Sequence, residues 1–254
     1  MAPSDESRHN RTFWERESLA YQRVHGPALA SAPMAWGVWR VPEKELRVLG
    51  DVCGRAILEL GCGAARWSEA LARSGAWAVG MDFSAAQLAN AVRAGETGVD
   101  GVDGRPVLVQ ADGTQLPFAL ESFDIVFCDH GVMSFANPCA AIAEAARVLR
   151  PGGRLAFCTS SPLRDICWDE QAKRVTERLV TSTFDLGPVE DDGCVVQRRS
   201  HGAWIRLFGR HGLRVDDLIE IQAPPAAATT YADFVPADWA RRGRVETHPG
   251  RRDS

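Results

Sequence analysis

Long apolar runs are missing from this sequence. No stretch of about 18 consecutive apolar residues occurs, the length a helix needs to cross a bilayer, so neither a membrane span nor a membrane partner is expected. The opening stretch MAPSDESRHNRTFWERES holds no apolar segment of the kind a secretory leader carries, and a cytoplasmic location is expected. Lysine is nearly absent. Lys44 and Lys173 are the only two, so arginine supplies almost all of the positive charge. With the abundance of alanine and glycine, that bias points to a GC-rich bacterial genome. A basic excess is missing too. The formal net charge of −4 argues against a nucleic-acid partner, because phosphate binding needs a basic face. Cysteines number seven, at positions 53, 62, 128, 139, 158, 167 and 194, and none form a C-x-x-C pair. Neither a disulfide framework nor a metal site is expected from them, and reduced thiols are the simple reading.

What is present is ordinary for a soluble globular chain: 254 residues, 45% hydrophobic and 24% charged. Residues 10–50 read as a helical cover. RTFWERESLAYQRV spreads Phe13, Trp14, Leu19, Tyr21 and Val24 among charges, and PEKELRVLG (Pro42 to Gly50) reads as a short helix opened by Pro and closed by Gly. Then an alternation begins. RAILEL, WAVGMD, RPVLVQAD, SFDIVFCDH and RLAFCTSS read as strands; ARWSEALARSG, SAAQLANAVRAG (N-capped by Ser84) and PCAAIAEAARVLRPGG read as the helices between them. This spacing predicts an α/β fold: a doubly wound, mostly parallel sheet covered on both faces, with an N-terminal helical lid. A polar insertion around 162–200, containing DLGPVEDDG, interrupts the pattern. GAWIRLFGRHG then reads as an amphipathic helix and LRVDDLIEI as a sixth strand. The division expected is a lid over 1–49 and a main domain over 50–254.

The stretch AILELGCGAARWSEAL (Ala56 to Leu71) runs a strand into a Gly-x-Gly turn and then a helix, a nucleotide-binding arrangement. No Gly-Lys-Ser/Thr follows, which excludes a P-loop. The dinucleotide fingerprint wants Gly or Ala where Arg66 stands. Glu59 would repel a pyrophosphate but suits a ligand with a positive centre and no phosphate, such as S-adenosylmethionine. The segments LELGCG (Leu58 to Gly63), VGMDFS (Val79 to Ser84), QADGTQLPFALESFDIVFC (Gln110 to Cys128) and EAARVLRPGGRLAF (Glu144 to Phe157) occur in that order. On these the chain resembles the class I S-adenosylmethionine-dependent methyltransferases over roughly residues 50–160. Its flanks FWERESLAYQRVHG, SSPLRDICWDE and TTYADFVPADWARR resemble a subgroup of small actinobacterial members acting on metabolites. Ala65 departs from the family by replacing its third glycine.

The resemblance implies a cofactor, S-adenosylmethionine, and a set of contacts to it. Glu59 lies beneath the loop, and Gly61 and Gly63 let the backbone approach the ligand; Cys62 between them reads as a small packing residue. Asp82, with Phe83 beside it, would accept both ribose hydroxyls, and Asp112 would meet the adenine amino group with Ala111 or Gly113 nearby. Cys128 to His130 would face the methyl group and acceptor. Transfer from a sulfonium is an in-line displacement that depends on alignment, and a phenol or amide-like nitrogen also needs a proton removed. His130 is the first candidate base, with Asp129, His25 and Tyr21 as rivals. CDHGV after the fourth strand lacks the N/D-P-P-Y/F of exocyclic-amine enzymes, and no acidic cluster for metal-assisted catechol methylation is found.

Eight tryptophans are many for this length. Trp14, Trp36, Trp39, Trp168, Trp204 and Trp239 would either roof the acceptor pocket or pack the lid. As a roof they suit a flat small-molecule acceptor, for example an indole, methylated at C, N or O in specialised metabolism. The alternatives are an RNA or protein methyltransferase and a non-catalytic donor-binding module. The tail DWARRGRVETHPGRRDS (Asp238 to Ser254) has one β-branched aliphatic residue, Val245, among charges, Gly and Pro. Residues 243–254 are therefore not expected to form the family's antiparallel seventh strand. Six strands, or pairing of CVVQRR (Cys194 to Arg199) at that edge, would remain, and an exposed edge would allow a homodimer.

Overall fold

The computed structural model describes residues 5–93, 105–191, 193–225, 228–231 and 235–242, and the backbone of 245–252. A long N-terminal helix α1 (Asp5–Ser31) leads through a two-residue hairpin, Ala35–Trp36 with Val41–Pro42, to a single-turn helix at Glu43–Leu46. The alternation then runs β1 (Ala56–Leu60), α2 (Arg66–Arg73), β2 (Trp77–Asp82), α3 (Ala85–Arg93), β3 (Val107–Gln110), β4 (Phe123–Asp129), α4 (Pro138–Val148) and β5 (Leu149–Thr159). After the insertion come α5 (His201–Arg210), β6 (Leu213–Val215), β7 (Ile219–Ile221) and β8 (Val245–Arg252). The sheet order is β3-β2-β1-β4-β5-β8, with both β6 and β7 on the far side of β8. β1 to β5 are parallel, and β8 is antiparallel to its neighbours. The chain therefore builds outward in opposite directions from β1 and β4, and a crevice opens beyond their C-terminal ends, where open α/β sheets place ligands.

Strand alternation divides the core into two faces. Ile57, Ile125, Phe127, Ala156 and Cys158 pack with Trp67 and Leu71 of α2 and with Trp36, Trp39, Val48 and Trp239. Leu58, Leu60, Val126, Cys128, Leu155 and Phe157 pack with Ile142 and Ala145 of α4 and with Trp204, Leu207 and Phe208 of α5. Because both faces are covered, the central strands are buried along nearly their whole length, and they read as continuous apolar runs. Local signals match the elements: Ser84 Oγ accepts from Gln87 N at the start of α3, and Asn137 accepts from Cys139 N and Ala140 N, with Pro138 as the first helical residue of α4.

Two expectations are corrected. LRVDDLIEI is broken into β6 and β7 rather than forming one sixth strand. The tail does form a central antiparallel strand. β8 pairs with β5 from Glu246↔Thr159 to Arg251↔Arg154, with β7 from Ile219↔Thr247 to Ile221↔Val245, and with β6 from Leu213↔Arg252 to Val215↔Gly250. Backbone demand explains this: β5 carries a full edge of N–H and C=O groups that need partners, and pairing on both sides of β8 outweighs weak side-chain propensity. The sheet has eight strands, and Cys194–Val196 pairs with Val189–Asp191 in a hairpin of the insertion, not at the sheet edge. The exposed edge that motivated a homodimer is filled. In hydrogen exchange, amides from Glu246 to Arg251, apart from Pro249, are expected to exchange about 100-fold or more slowly than the unfolded chain, near the rate of the β5 amides. Exchange at the unfolded rate would show the strand absent.

Candidate active site

The crevice is bounded by two loops that cross at backbone distance. Gly61, after β1, has φ +77°, and a Cβ there would lie 2.8 Å from Gly131 Cα and 2.9 Å from Val132 N. Only glycine permits both the dihedral and the approach. Between them, Gly61 N and Cys62 N donate to Met81 O, and the loop is pinned to β2. Ala65, the departure from the family pattern, holds a left-handed conformation at φ +57° as the N-cap of α2, a conformation alanine adopts at some cost.

Asp82, at the end of β2, is the polar centre of this loop. Its Oδ2 accepts from Gly63 N at 2.9 Å and its Oδ1 from Ser84 N at 2.9 Å, and it also faces the crevice. Burial raises its pKa to about 6, against the pull of the Ser84 and Gly63 N–H groups. Glu59 is placed differently from the sequence expectation. It does not line the crevice; its Oε2 accepts from Ser68 N at 2.9 Å and Ser68 Oγ at 2.5 Å and ties β1 to α2. Burial pushes its carboxyl up to about 8, so at neutral pH it is largely uncharged and offers no field for a cationic ligand. Cys62, Ala111 and Cys128 also lie off the crevice. Cys62 packs with Ala65 and Ala91, Ala111 N donates to Asp82 O, and Cys128 is fully buried with its thiol pushed up to about 12 by burial. Asp112 and Gly113 do line it. Asp112 Oδ1 accepts from Thr114 N and Oγ1, however, and its Oδ2 from Ser7 Oγ, so most of its capacity is used within the chain.

Opposite the loop, α1 forms a wall. It is fixed mainly by polar side chains. Buried Asn10 bonds Phe135 O and both the N–H and C=O of Val195; Glu15 accepts from Ala85 N and Ala86 N at the start of α3; Asn90 donates to Ser18. The space between is a cavity of about 300 Å³ lined on the loop side by Gly61, Gly63, Asp82, Phe83 and Gln87 and on the α1 side by Trp14, Tyr21, Leu29, Phe135 and Tyr231. Of the six tryptophans considered for an acceptor roof, Trp14 alone lines it. Trp36, Trp39 and Trp239 are core residues of one sheet face, Trp204 of the other, and Trp168 lies beneath the Arg164 guanidinium. They are spent on packing; Phe135, Tyr231, Val132 and Gln87, which sequence reasoning passed over, supply the wall instead. Tyr231 lies in TTYADFVPADWARR but has no local pattern to mark it. His25 is not in the lining; it stacks on Tyr231 behind it.

Asp129 and His130, at the end of β4, enter the cavity between the two sides. Asp129 Oδ1 accepts from Gly37 N at 3.0 Å, and burial raises its pKa. His130 sits at φ +56°, its N–H bonded to Cys158 O and its Nε2 3.5 Å from Cys158 Sγ. Burial lowers its pKa, and the Arg164 charge lowers it further while Asp129 opposes, so the imidazole is neutral at pH 7. Tyr21 is pushed up by burial and stays a protonated phenol, which makes it a donor and not a base. Asp129, His130 and Cys158 bring three ligand atoms within 4.8 Å of one another, the one group among the described residues able to hold a metal; residues 28 positions apart gave no sequence signal for it.

Residues 58–157 match a family model described as a methyltransferase domain. A demethylmenaquinone methyltransferase of Clavibacter sepedonicus is 38% identical over 147 residues, covering 56% of this chain and 57% of its own. The protein of the same name from Mycolicibacterium paratuberculosis is 37% identical over 166 residues, 65% of this chain and 67% of its own. The chain thus spans about half the length of most of the relatives it matches. The chain belongs to the class I S-adenosylmethionine-dependent methyltransferases. In fold, this methyltransferase is similar to an S-adenosylmethionine-dependent methyltransferase of Mesorhizobium loti (TM-score 0.65, 23% identity, 82% of this chain and 96% of the other). It is also similar to a 1,6-didemethyltoxoflavin N1-methyltransferase of Burkholderia thailandensis (TM-score 0.62, 14% identity, 100% and 92%), which holds 1,6-didemethyltoxoflavin and S-adenosylhomocysteine.

The family's cofactor, S-adenosylmethionine, fits what the crevice offers. A Cβ on Gly63 would meet nothing closer than Gln87 Oε1 at 3.8 Å, so the loop backbone is open to a ligand there, and the Asp82 carboxylate keeps acceptor capacity beyond the N–H groups of Gly63, Ser84 and Phe83. Among the described residues no helix is long and apolar enough to cross a membrane. The tie beneath this loop gives a pH test. With its pKa raised from 4.5 to about 8, Glu59 favours the fold most at low pH, and that contribution is lost as pH rises through about 8. Glu59→Gln, whose carbonyl accepts the same two bonds, should match the wild type in stability at about pH 4.5 and gain on it as pH rises from there to about 8, with no further gain above that. Glu59→Ala should lose about 1–3 kcal/mol by stranding the Ser68 donors. Denaturant melts across that pH range check this; a Gln variant as unstable as Ala would contradict it.

Proposed function

We propose that this methyltransferase moves a methyl group from S-adenosylmethionine to a small aromatic or heteroaromatic acceptor bound against α1. The observation that carries the reading is the two-sided cavity: a glycine loop with Asp82 on one side, an aromatic wall on the other, and Asp129–His130 between them. On the loop side Asp82 would take the ribose hydroxyls, and Phe83, Asp112 and Gly113 would border the adenine. The bound cofactor supplies an electrophilic methyl on a sulfonium. The chain's own residues then align the acceptor, exclude water and accept a proton. His130 is suited to the last task because it is neutral at pH 7 and faces the cavity. The names of the relatives support a quinone-type acceptor, and the toxoflavin neighbour a heteroaromatic one. An indole belongs to the same flat class. Residues 1–49 act as the lid of the acceptor side in this reading, with Trp14, Tyr21 and Leu29 as its contribution.

The test uses donor labelled in its methyl group, offered with 1,4-naphthalenediol or with indole, and mass spectrometry of the products. A labelled product is expected from at least one. His130→Ala should lower kcat about 10²–10⁴-fold, the usual worth of a general base, with affinity for S-adenosylhomocysteine unchanged. Tight donor binding with no labelled product from these acceptors or from a cell extract would contradict the reading and favour a donor-binding module.

A further inference from the structure

The chain has ten phenylalanines but only two tyrosines, and the fold brings those two together. Tyr21 comes from α1 and Tyr231 from the segment after β7, 210 positions away, yet their hydroxyl oxygens are 2.6 Å apart. Both side chains line the cavity. The rings are held from behind by His25, which stacks on Tyr231 with centroids 4.0 Å apart and an interplanar angle of 4° and lies 4.5 Å from the Tyr21 ring. His25 Nδ1 is in turn fixed 2.7 Å from Thr230 Oγ1. Trp14 meets the other side of Tyr21 edge-on at 5.3 Å.

Packing alone does not account for this pair, because phenylalanine would fill the same wall. A hydrogen-bonded pair of phenols spends one of its protons internally and leaves the other to donate. Burial raises the pKa of both hydroxyls, so both remain protonated donors. The charges of Asp129 and Arg40 act on both, and Arg40 Nε is buried with no hydrogen-bond partner among the described residues. The remaining phenol proton gives this corner of an otherwise apolar wall a donor, and it suits a ligand oxygen.

We propose that the Tyr21–Tyr231 pair is the acceptor-recognition site of the cavity, donating a hydrogen bond to a hydroxyl or carbonyl oxygen on the acceptor ring. The inference rests on the methyl-transfer reading above and narrows it: the acceptor is an oxygenated aromatic ring, not a plain indole. Neither tyrosine takes a proton from the acceptor; they position it.

The test is binding, measured anaerobically on protein saturated with S-adenosylhomocysteine and titrated with 1,4-naphthalenediol or with naphthalene. The wild type should prefer the diol about tenfold or more. Whichever of Y21F and Y231F removes the donating hydroxyl should weaken diol binding about five- to tenfold, the worth of one hydrogen bond, the double variant should lose as much, and naphthalene binding should stay unaffected in all three. Unchanged S-adenosylhomocysteine affinity in all three variants reports an intact fold. Equal binding of diol and naphthalene by the wild type, or the wild-type preference surviving in Y21F/Y231F, overturns the proposal. Failure of the wild type to bind S-adenosylhomocysteine overturns the reading beneath it.

Discussion

After its first and fourth strands the chain passes itself with no side chain in between. A Cβ on Gly131 would stand 2.5 Å from Leu60 O and 2.9 Å from Gly61 Cα, so the two loops lock backbone to backbone. That contact sits where the sheet order reverses, and it sets the floor of the crevice. It also decides which way the flanking residues face. On one side Gly63 is drawn to Asp82; on the other His130 is forced to φ +56° and Val132 is turned into the cavity. A residue such as His130 held at positive φ stores strain that the surrounding hydrogen bonds, its own N–H to Cys158 O among them, have to offset.

The rest of the site is built on that floor by polar ties more than by apolar packing. Glu59 fastens β1 to α2, Asp82 fastens the loop to β2 and α3, and Asn10 and Glu15 fasten α1 across the top. A helix seated by a few side-chain hydrogen bonds can be positioned accurately while its exposed face stays charged. The arrangement leaves the aromatic residues of α1 free to form a wall instead of filling a core. The electrostatics follow burial: the carboxyls at 82 and 129 are raised and the imidazole at 130 is lowered, so the crevice carries less charge than its residue types suggest, and the Glu59 carboxyl beneath it is raised too.

The strands and helices between Ala56 and Thr159 were legible because burial on both faces writes itself as apolar runs, and because Gly61, Gly63 and Asp82 are required by geometry that leaves few alternatives. The composition of the wall was not legible. A tryptophan that fills a core, such as Trp36 or Trp204, and one that faces a cavity, such as Trp14, look alike in sequence. The position of Glu59 beside the loop suggests a ligand contact in sequence, but whether a carboxylate faces ligand or Ser68 depends on the helix packed beneath it. β8 was missed for a related reason. Its partners β5, β6 and β7 supply the hydrogen bonds that fix it, and pairing of that kind is non-local. Tyr21 and Tyr231 meet across 210 positions, and no spacing rule connects them.

The account depends most on the claim that the Gly61–Gly63 loop and Asp82 hold the donor. A crystal structure of the chain with S-adenosylhomocysteine tests it directly. The account predicts both ribose hydroxyls within about 3 Å of the Asp82 oxygens, the amino acid portion over Gly61 and Gly63, and the sulfur facing His130 and the aromatic wall. A ligand bound elsewhere, or one in this crevice with Asp82 turned away from the ribose, would contradict it.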